Sequence, residues 1–301
     1  MQQRSILIDT DPGDDIDDMI ALAFAVRRPD FDLKAVTTVT GRTDLRAHLV
    51  HALLRTAGRT QIPVGAGMPL PLQCTRPAER AAWLTTGGYR LNHYAVCSVT
   101  DRAAPVADGV DLIVRTVSDH PGEVTVVCIG PLTNIAAALL KEPALAERIP
   151  RIALMGGEPH LNKIEHNISS DPHATNVVLS SGIPIFMGTW DVTRRVILSE
   201  DDCTALRATA LPLNVLLADA AAFWWPHRGV KPGAVVYDAS ALLWLLHPEW
   251  YDTEAMHLSV ETRGEYTSGM VVRTSGEPNV EATTGMDAEA AKGCVMETLL
   301  R

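Results

Sequence analysis

Residues 5–28 read SILIDTDPGDDIDDMIALAFAVRR. Ser5–Ile8 is a short apolar run that predicts a strand, and Asp17–Arg28 is an Ala/Leu/Ile-rich run, stopped by Pro29, that predicts a helix. The turn residues Asp-Pro-Gly separate the two. The same alternation continues outward. Leu33–Val39 predicts a strand, Asp44–Ala57 a helix ended by Gly58, and Ile62–Val64 a short strand. Val110–Ser118 reads as helix, Val124–Ile129 as strand, Asn134–Leu140 as helix and Arg151–Met155 as strand. Asp171–Ser181 then reads as helix and Ile185–Met187 as strand. Strands that are apolar throughout and separated by helices indicate a parallel sheet covered on both faces.

Three stretches interrupt that rhythm: Pro69–His93, Gly156–Ser170, and Ala210–Ala241 with its Trp224-Trp225 pair. The first two read as irregular and the third is rich in aromatics, and long loops in a compact α/β domain usually carry function. No linker and no internal repeat divides the chain. The expectation is an α/β fold, one domain over residues 1–301, with a mostly parallel central sheet flanked by helices.

Residues 9–18, DTDPGDDIDD, hold six aspartates: Asp9, Asp11, Asp14, Asp15, Asp17 and Asp18. They lie at the carboxyl end of the first strand, where open α/β sheets bind ligands. One or two acids would complement a helix N-terminus. Further ones repel each other, and carboxylates so crowded call for a cation. With no His or Cys nearby, the ligands are all oxygen, which suits a hard ion such as Ca²⁺ or Mg²⁺. An EF-hand loop is excluded: counted from Asp9, Gly13 takes the fifth place and Ile20 the twelfth, where a bidentate Glu is needed. Distant parts of the chain must complete the site.

Composition narrows the function classes. The chain has 301 residues, with 26 Lys+Arg against 36 Asp+Glu and a formal charge of −10. That balance, without a basic block, argues against a nucleic-acid partner. No apolar run approaches the ~18 residues of a membrane span. The start, MQQRSILIDTD, lacks a signal peptide's apolar core, and the five cysteines are scattered and never spaced C-x-x-C. Reduced thiols and a cytoplasmic location are expected.

Taken together, several motifs resemble those of the calcium-dependent nucleoside hydrolases, the inosine–uridine-preferring nucleoside N-ribohydrolases. They are DTDPGDDIDDMIAL, VTTVTG (36–41), IGPLTNIA (129–136), MGG (155–157) with Glu165-x-Asn167 and Asp171-Pro172, and YDA (237–239). RGEYTSGM (263–270) resembles the family's final hairpin. The resemblance spans nearly the whole chain. It implies a nucleoside hydrolase-like fold, Ca²⁺ at the bottom of a deep pocket, and hydrolysis of the N-glycosidic bond of ribonucleosides to ribose and free base. It also implies a small-molecule nucleoside substrate and a homodimer or homotetramer.

Carried over by motif, Asp11 is a metal ligand that also takes a proton from the attacking water. Asp18, the main-chain carbonyl of Ile129 and Asp238 are further ligands, and Asp17 bonds ribose hydroxyls. Met155, Asn162, Glu165 and Asn167 supply the other sugar contacts, in a loop shorter between Asn162 and Glu165 than is typical.

The chain departs from the family pattern in several places. Gly13 is followed by Asp14-Asp15-Ile16, where the commonest form has one residue before the Asp pair. Asp15 and Asp18 therefore both stand as the main bidentate ligand, with Asp18 favoured because MIAL follows it directly. Tyr237 replaces a common His, and Thr85-Thr86-Gly87-Gly88 replaces the His-Gly of pyrimidine-preferring relatives. Candidates for the leaving-group acid are Tyr237, His93 and His166, with Trp224 or Trp225 stacking on the base. Arg42 replaces a common Asn and implies either an anionic group near the sugar or a pairing with an aspartate. Two other functions compete: a phosphohydrolase of the haloacid dehalogenase type, which shares the strand-DxD start, and a Ca²⁺-dependent nucleoside- or sugar-binding protein without turnover.

Overall fold

A computed structural model of the chain describes residues 3–74, 106–228 and 233–301. Thirteen strands run through the described residues. In chain order the first seven are β1 (Arg4–Thr10), β2 (Phe31–Thr38), β3 (Val64–Ala66), β4 (Ala107–Asp108), β5 (Thr125–Cys128), β6 (Ile152–Met155) and β7 (Ile185–Gly188). Then follow β8 (Ile197–Ser199), β9 (Gly233–Val235), β10 (Tyr251–Met256), β11 (Leu258–Val260), β12 (Val271–Arg273) and β13 (Val280–Met286). Nine of them form one sheet in the order β10-β13-β7-β6-β5-β1-β2-β3-β4. Every pairing in it is parallel except that of β10 with β13 at the edge.

Strand β1 lies at the centre, and its sequence shows why. Ile6, Leu7 and Ile8 are fully buried, and side chains alternate across a strand. Ile6 and Ile8 enter one core, with helices Asp17–Arg27, Ala239–Leu246 and Ala288–Leu300, while Leu7 enters the other with Gly109–Asp119 and Thr133–Lys141. A strand buried on both faces has no polar positions to spare, which accounts for the continuous apolar run. Among the described residues no helix is long and apolar enough to cross a membrane.

The expected elements up to β7 that fall within the described residues are present, with ends shifted by a few residues. The short strand sits at Val64–Ala66 rather than Ile62–Val64, because its partner register runs from Val36 to Thr38. The aromatic-rich stretch Ala210–Ala241, which breaks the alternation in the sequence, is itself largely regular. Pro212–Arg228 is a 17-residue helix, β9 follows, and a second helix begins at Ala239. The stretch 212–228 contains no glycine and is rich in Ala and Leu, so helix propensity decides there despite its aromatics. In the expected loop Gly156–Ser170, one short helix, His166–Ser170, forms because the Glu165 side chain caps it. Segment 263–270 joins β11 to β12 as a hairpin loop.

Candidate active site

Strand order sets the position of the site. After β1 the chain turns to β2 on one side, while β5 and β6 lie on the other. The crevice at such a reversal, beyond the strands' carboxyl ends, is where open sheets bind ligands. Here it is a cavity of about 580 Å³, a size suited to a small-molecule ligand. The loop after β1 brings Asp11, Asp14, Asp15, Asp17 and Asp18 to it, β5 brings Ile129, and β6 brings Met155. Glu165, His166, Asn167, Trp190, Tyr237 and Asp238 complete the walls with Lys163, Ile164 and Ser169.

Carboxylates converge on the cavity floor. One ligand oxygen from each of Asp17, Asp18 and Asp238 lies within 4.8 Å of the others, and all three residues are buried. Asp18 Oδ1 accepts the Thr10 hydroxyl and the Asp11 backbone N–H (3.0 Å), which fixes its orientation. Burial pushes the Asp17, Asp18 and Asp238 carboxyls well above the ordinary range, and their mutual repulsion adds to it. Asp11 is raised to about 6 by burial, although the nearby Arg46 charge opposes the rise. A cluster of buried, mutually repelling oxygen donors is what a hard cation stabilises. The donor set therefore fits a divalent metal, with Asp17, Asp18 and Asp238 as the residues that would hold it.

The flanking motifs act mainly as scaffold. In GPLTN, Gly130 must be glycine, because a Cβ there would stand 2.8 Å from Asp11 Oδ1. Asn134 donates to Asp9 Oδ1 (2.7 Å) and the Thr38 carbonyl (3.1 Å), and accepts from the Met68 N–H (2.7 Å). Asp171 accepts from Thr133 (2.8 Å) and the Leu72 N–H (2.7 Å) while it caps helix Pro172–Leu179. In MGG, Gly157 adopts φ +74°, a region that penalises any side chain. Asp9 lies under the site, fully buried, with Oδ2 lacking a hydrogen-bond partner among the described residues. Burial raises its carboxyl to about 7.

These shifts fix the pH dependence of the metal-free protein. Asp9 (about 7) and Asp11 (about 6) hold their protons longer folded than unfolded, where a carboxyl titrates near 3.8. Their contribution to stability is fully present below the unfolded value and is lost as pH rises from about 4 through 7. Metal-stripped protein is therefore expected to melt at a lower temperature at pH 8 than at pH 5.5. Thermal unfolding by circular dichroism across that window checks this, and a melting temperature that climbs with pH would contradict it.

Of the residues expected at the site, Asp11, Asp15, Asp17, Asp18, Ile129, Met155, Glu165, Asn167, Tyr237 and Asp238 line the one cavity. The Ile129 carbonyl accepts from Asn167 Nδ2 (3.2 Å), which also reaches the Met155 carbonyl (3.1 Å). Glu165 is turned to backbone work: its carboxylate accepts from the N–H groups of Gly157, Asn167 and Ile168. Asn162 is exposed and absent from the lining, since the short loop carries it outward. Arg42 also lies off the cavity and grips Asp44 with two hydrogen bonds (2.8 and 2.6 Å), so the aspartate pairing is the one formed. His93 lies outside the described residues. Trp224 sits in helix Pro212–Arg228, and its side chain likewise lies outside what is described. Sequence reasoning missed Lys163 and Trp190, whose side chains pair on the cavity wall with the ammonium 4.3 Å from the ring centre. It also missed Arg46, a fully buried arginine behind the loop. A legible signal existed for Arg46 alone: it falls on the face of helix Thr43–Thr56 that Leu49, Val50 and Leu53 bury.

Fold and site together define an α/β protein with a carboxylate cluster able to hold a metal in an open-sheet crevice. Residues 6–293 match the family model described as inosine-uridine preferring nucleoside hydrolase, and the chain belongs to that family. It is a ribonucleoside hydrolase, which cleaves the N-glycosidic bond with water. The chain is 33% identical to the pyrimidine-specific ribonucleoside hydrolase RihA of Citrobacter koseri, over 98% of this chain and 97% of that one. Among solved structures it is similar to the plant nucleoside hydrolase PpNRh1, at 25% identity and TM-score 0.83 over 99% of both chains. It shares its fold with a purine-preferring ribonucleoside hydrolase from Gardnerella vaginalis (22% identity, TM-score 0.82, covering 99% and 98%). Family membership over residues 6–293 overturns the phosphohydrolase alternative.

Proposed function

We propose that the metal is Ca²⁺ and that Asp11 is the general base of the hydrolysis. The observation that carries this reading is the convergence of Asp17, Asp18 and Asp238 on one floor, with Asp11 lining the same cavity. All donors there are oxygens, and a mixed set, these carboxylates with the main-chain carbonyl of Ile129 on the cavity wall, suits Ca²⁺ better than a strictly octahedral Mg²⁺. When bound, the ion supplies positive charge that offsets these carboxylates and polarises the oxygens it holds.

The chain's own residues divide the remaining work. Asp11 takes the proton of the attacking water, whose oxygen forms the new bond to the ribose C1′ as the N-glycosidic bond breaks. The electron pair of that bond leaves with the base. Tyr237, which lines the cavity, returns a proton to it; burial and the charges of Asp17 and Asp15 keep its hydroxyl protonated and raise it above the ordinary value. Besides its place in the converging trio, Asp17 bonds the ribose hydroxyls, and Met155, Glu165 and Asn167 shape the sugar pocket. Of the two bidentate candidates, Asp18 is favoured, because it is one of the three buried carboxylates that converge, whereas Asp15 is only half-buried and stands outside that trio.

The pyrimidine-specific relatives support pyrimidine ribonucleosides as substrates. A homodimer or homotetramer in the cytoplasm completes the reading, supported by the family resemblance and by four unbridged cysteines among the described residues. The test is ribose release from uridine, cytidine, inosine and adenosine, with added Ca²⁺ and after EGTA. Release that needs Ca²⁺ and is fastest with the pyrimidines is expected. Equal release in EGTA would overturn the metal assignment, and a purine-first profile would overturn the substrate.

A further inference from the structure

The loop between β1 and the first helix carries two more acidic residues than the common family form, and nothing in the reaction accounts for Asp14. The residue facing it is Arg46, the largest fully buried side chain among the described residues. Arg46 Nη2 meets the Asp14 carboxylate at 2.6 Å and lies 3.9 Å from Asp11 Oδ2. Nη1 donates to the main-chain carbonyls of Asp11 and Pro12, the latter at 2.8 Å. Nε donates to the carbonyl of Thr40 at 2.8 Å. Thr40 is a non-glycine residue at φ +63°, and its own N–H donates to the Met68 carbonyl at 2.9 Å. One guanidinium therefore joins the loop after β1 to the end of β2, and Thr40 passes that tie to the loop after β3.

From this geometry we infer that Arg46 is a positioning residue of the metal centre: its fork, anchored by Asp14, fixes the backbone of the acidic loop so that the carboxylates meet on the cavity floor. The inference rests on the metal-site reading above. A rigid planar fork suits the task, because three separate groups must be satisfied at once from a dry position. A buried arginine with fewer acceptors would be strongly destabilising. The acidic residues of the longer loop thus meet a counter-ion supplied by helix Thr43–Thr56, which holds the lengthened loop in register.

Charge and geometry predict opposite results, which makes the inference testable. As a mere positive charge beside Asp11, Arg46 repels a cation, so Arg46→Met would tighten Ca²⁺ binding. As a clamp, its loss must weaken binding, by about tenfold or more, the usual cost of losing a group that orients a ligand. The experiment is calorimetric titration of the metal-stripped full chain with Ca²⁺ alone, for wild type, Arg46→Met and Arg46→Lys. Arg46→Lys keeps the charge and loses the fork, so it serves if the methionine variant does not fold. It is expected to bind about tenfold more weakly, with kcat at saturating Ca²⁺ reduced and KM little changed. Wild-type affinity in Arg46→Lys, or tighter binding in Arg46→Met, would overturn the inference. A wild type that takes no Ca²⁺ would instead overturn the metal reading, and this inference with it.

Discussion

Replacing Asp11 by Ala is expected to lower kcat by on the order of 10²–10⁴-fold, the usual contribution of a positioned general base. The residue is buried, lines the cavity floor and has no side-chain substitute at the same place. Asp17, Asp18 and Asp238 converge on one another, and Glu165 spends its carboxylate on three backbone N–H groups. Gly130 keeps clear the space that Asp11 Oδ1 occupies, since a Cβ there would stand 2.8 Å from it. Asp11→Asn keeps the shape and removes the base, which separates proton transfer from packing. Both variants should retain the fold, because β1 is anchored upstream by Ile6, Leu7 and Ile8. Steady-state kinetics with uridine and Ca²⁺ decides the matter, and near-normal kcat in Asp11→Asn would remove Asp11 as the base.

Asp238→Ala is expected to weaken Ca²⁺ binding on the order of a hundredfold, since it removes one of three converging charged donors. Its effect on stability should change sign with the metal. Without Ca²⁺ the variant should melt above the parent at pH 8, because one of several mutually repelling buried carboxylates is gone. With Ca²⁺ the order should reverse. At one hundred times the parent's Kd, binding stabilises the folded chain by about 2.7 kcal/mol, and a hundredfold weaker site keeps only roughly 0.4 kcal/mol of it. Calorimetric titration combined with paired melts in Ca²⁺ and EGTA reads both effects. An unchanged titration would exclude Asp238 as a ligand.

Much of the fold and part of the candidate site are legible in the sequence, for reasons that differ between residues. The βα alternation shows because a strand covered on both faces must be apolar at every position, as at Ile6–Ile8 and Val126–Cys128. The bounds of helix Pro212–Arg228 are less legible, because its aromatics break the alternation while its Ala/Leu content carries the helical signal. The antiparallel pairing of β10 with β13 at the sheet edge has no local signature at all. Asp11, Asp17 and Asp18 are legible because six aspartates in ten positions have no ordinary structural use. Asn162 and Arg42 are placed by motif alone, and neither lines the cavity. A shorter loop and a nearby Asp44 outweigh the position they hold in the pattern.

What the sequence determines by itself is what short range can encode: the strand-to-helix turns, the acidic loop, and the hard, all-oxygen character of any metal site. Those depend on neighbours within a few positions, so periodicity and composition suffice. Tertiary structure alone decides that Asp238, far along the chain, reaches the floor built by Asp17 and Asp18. It alone turns Glu165 inward to cap a helix, and it buries Arg46 behind the loop as the tie between β1 and β2. The reason is geometric. Convergence is set by the order of strands in the sheet and by which side chains the two cores exclude from water, and neither is written in any single segment.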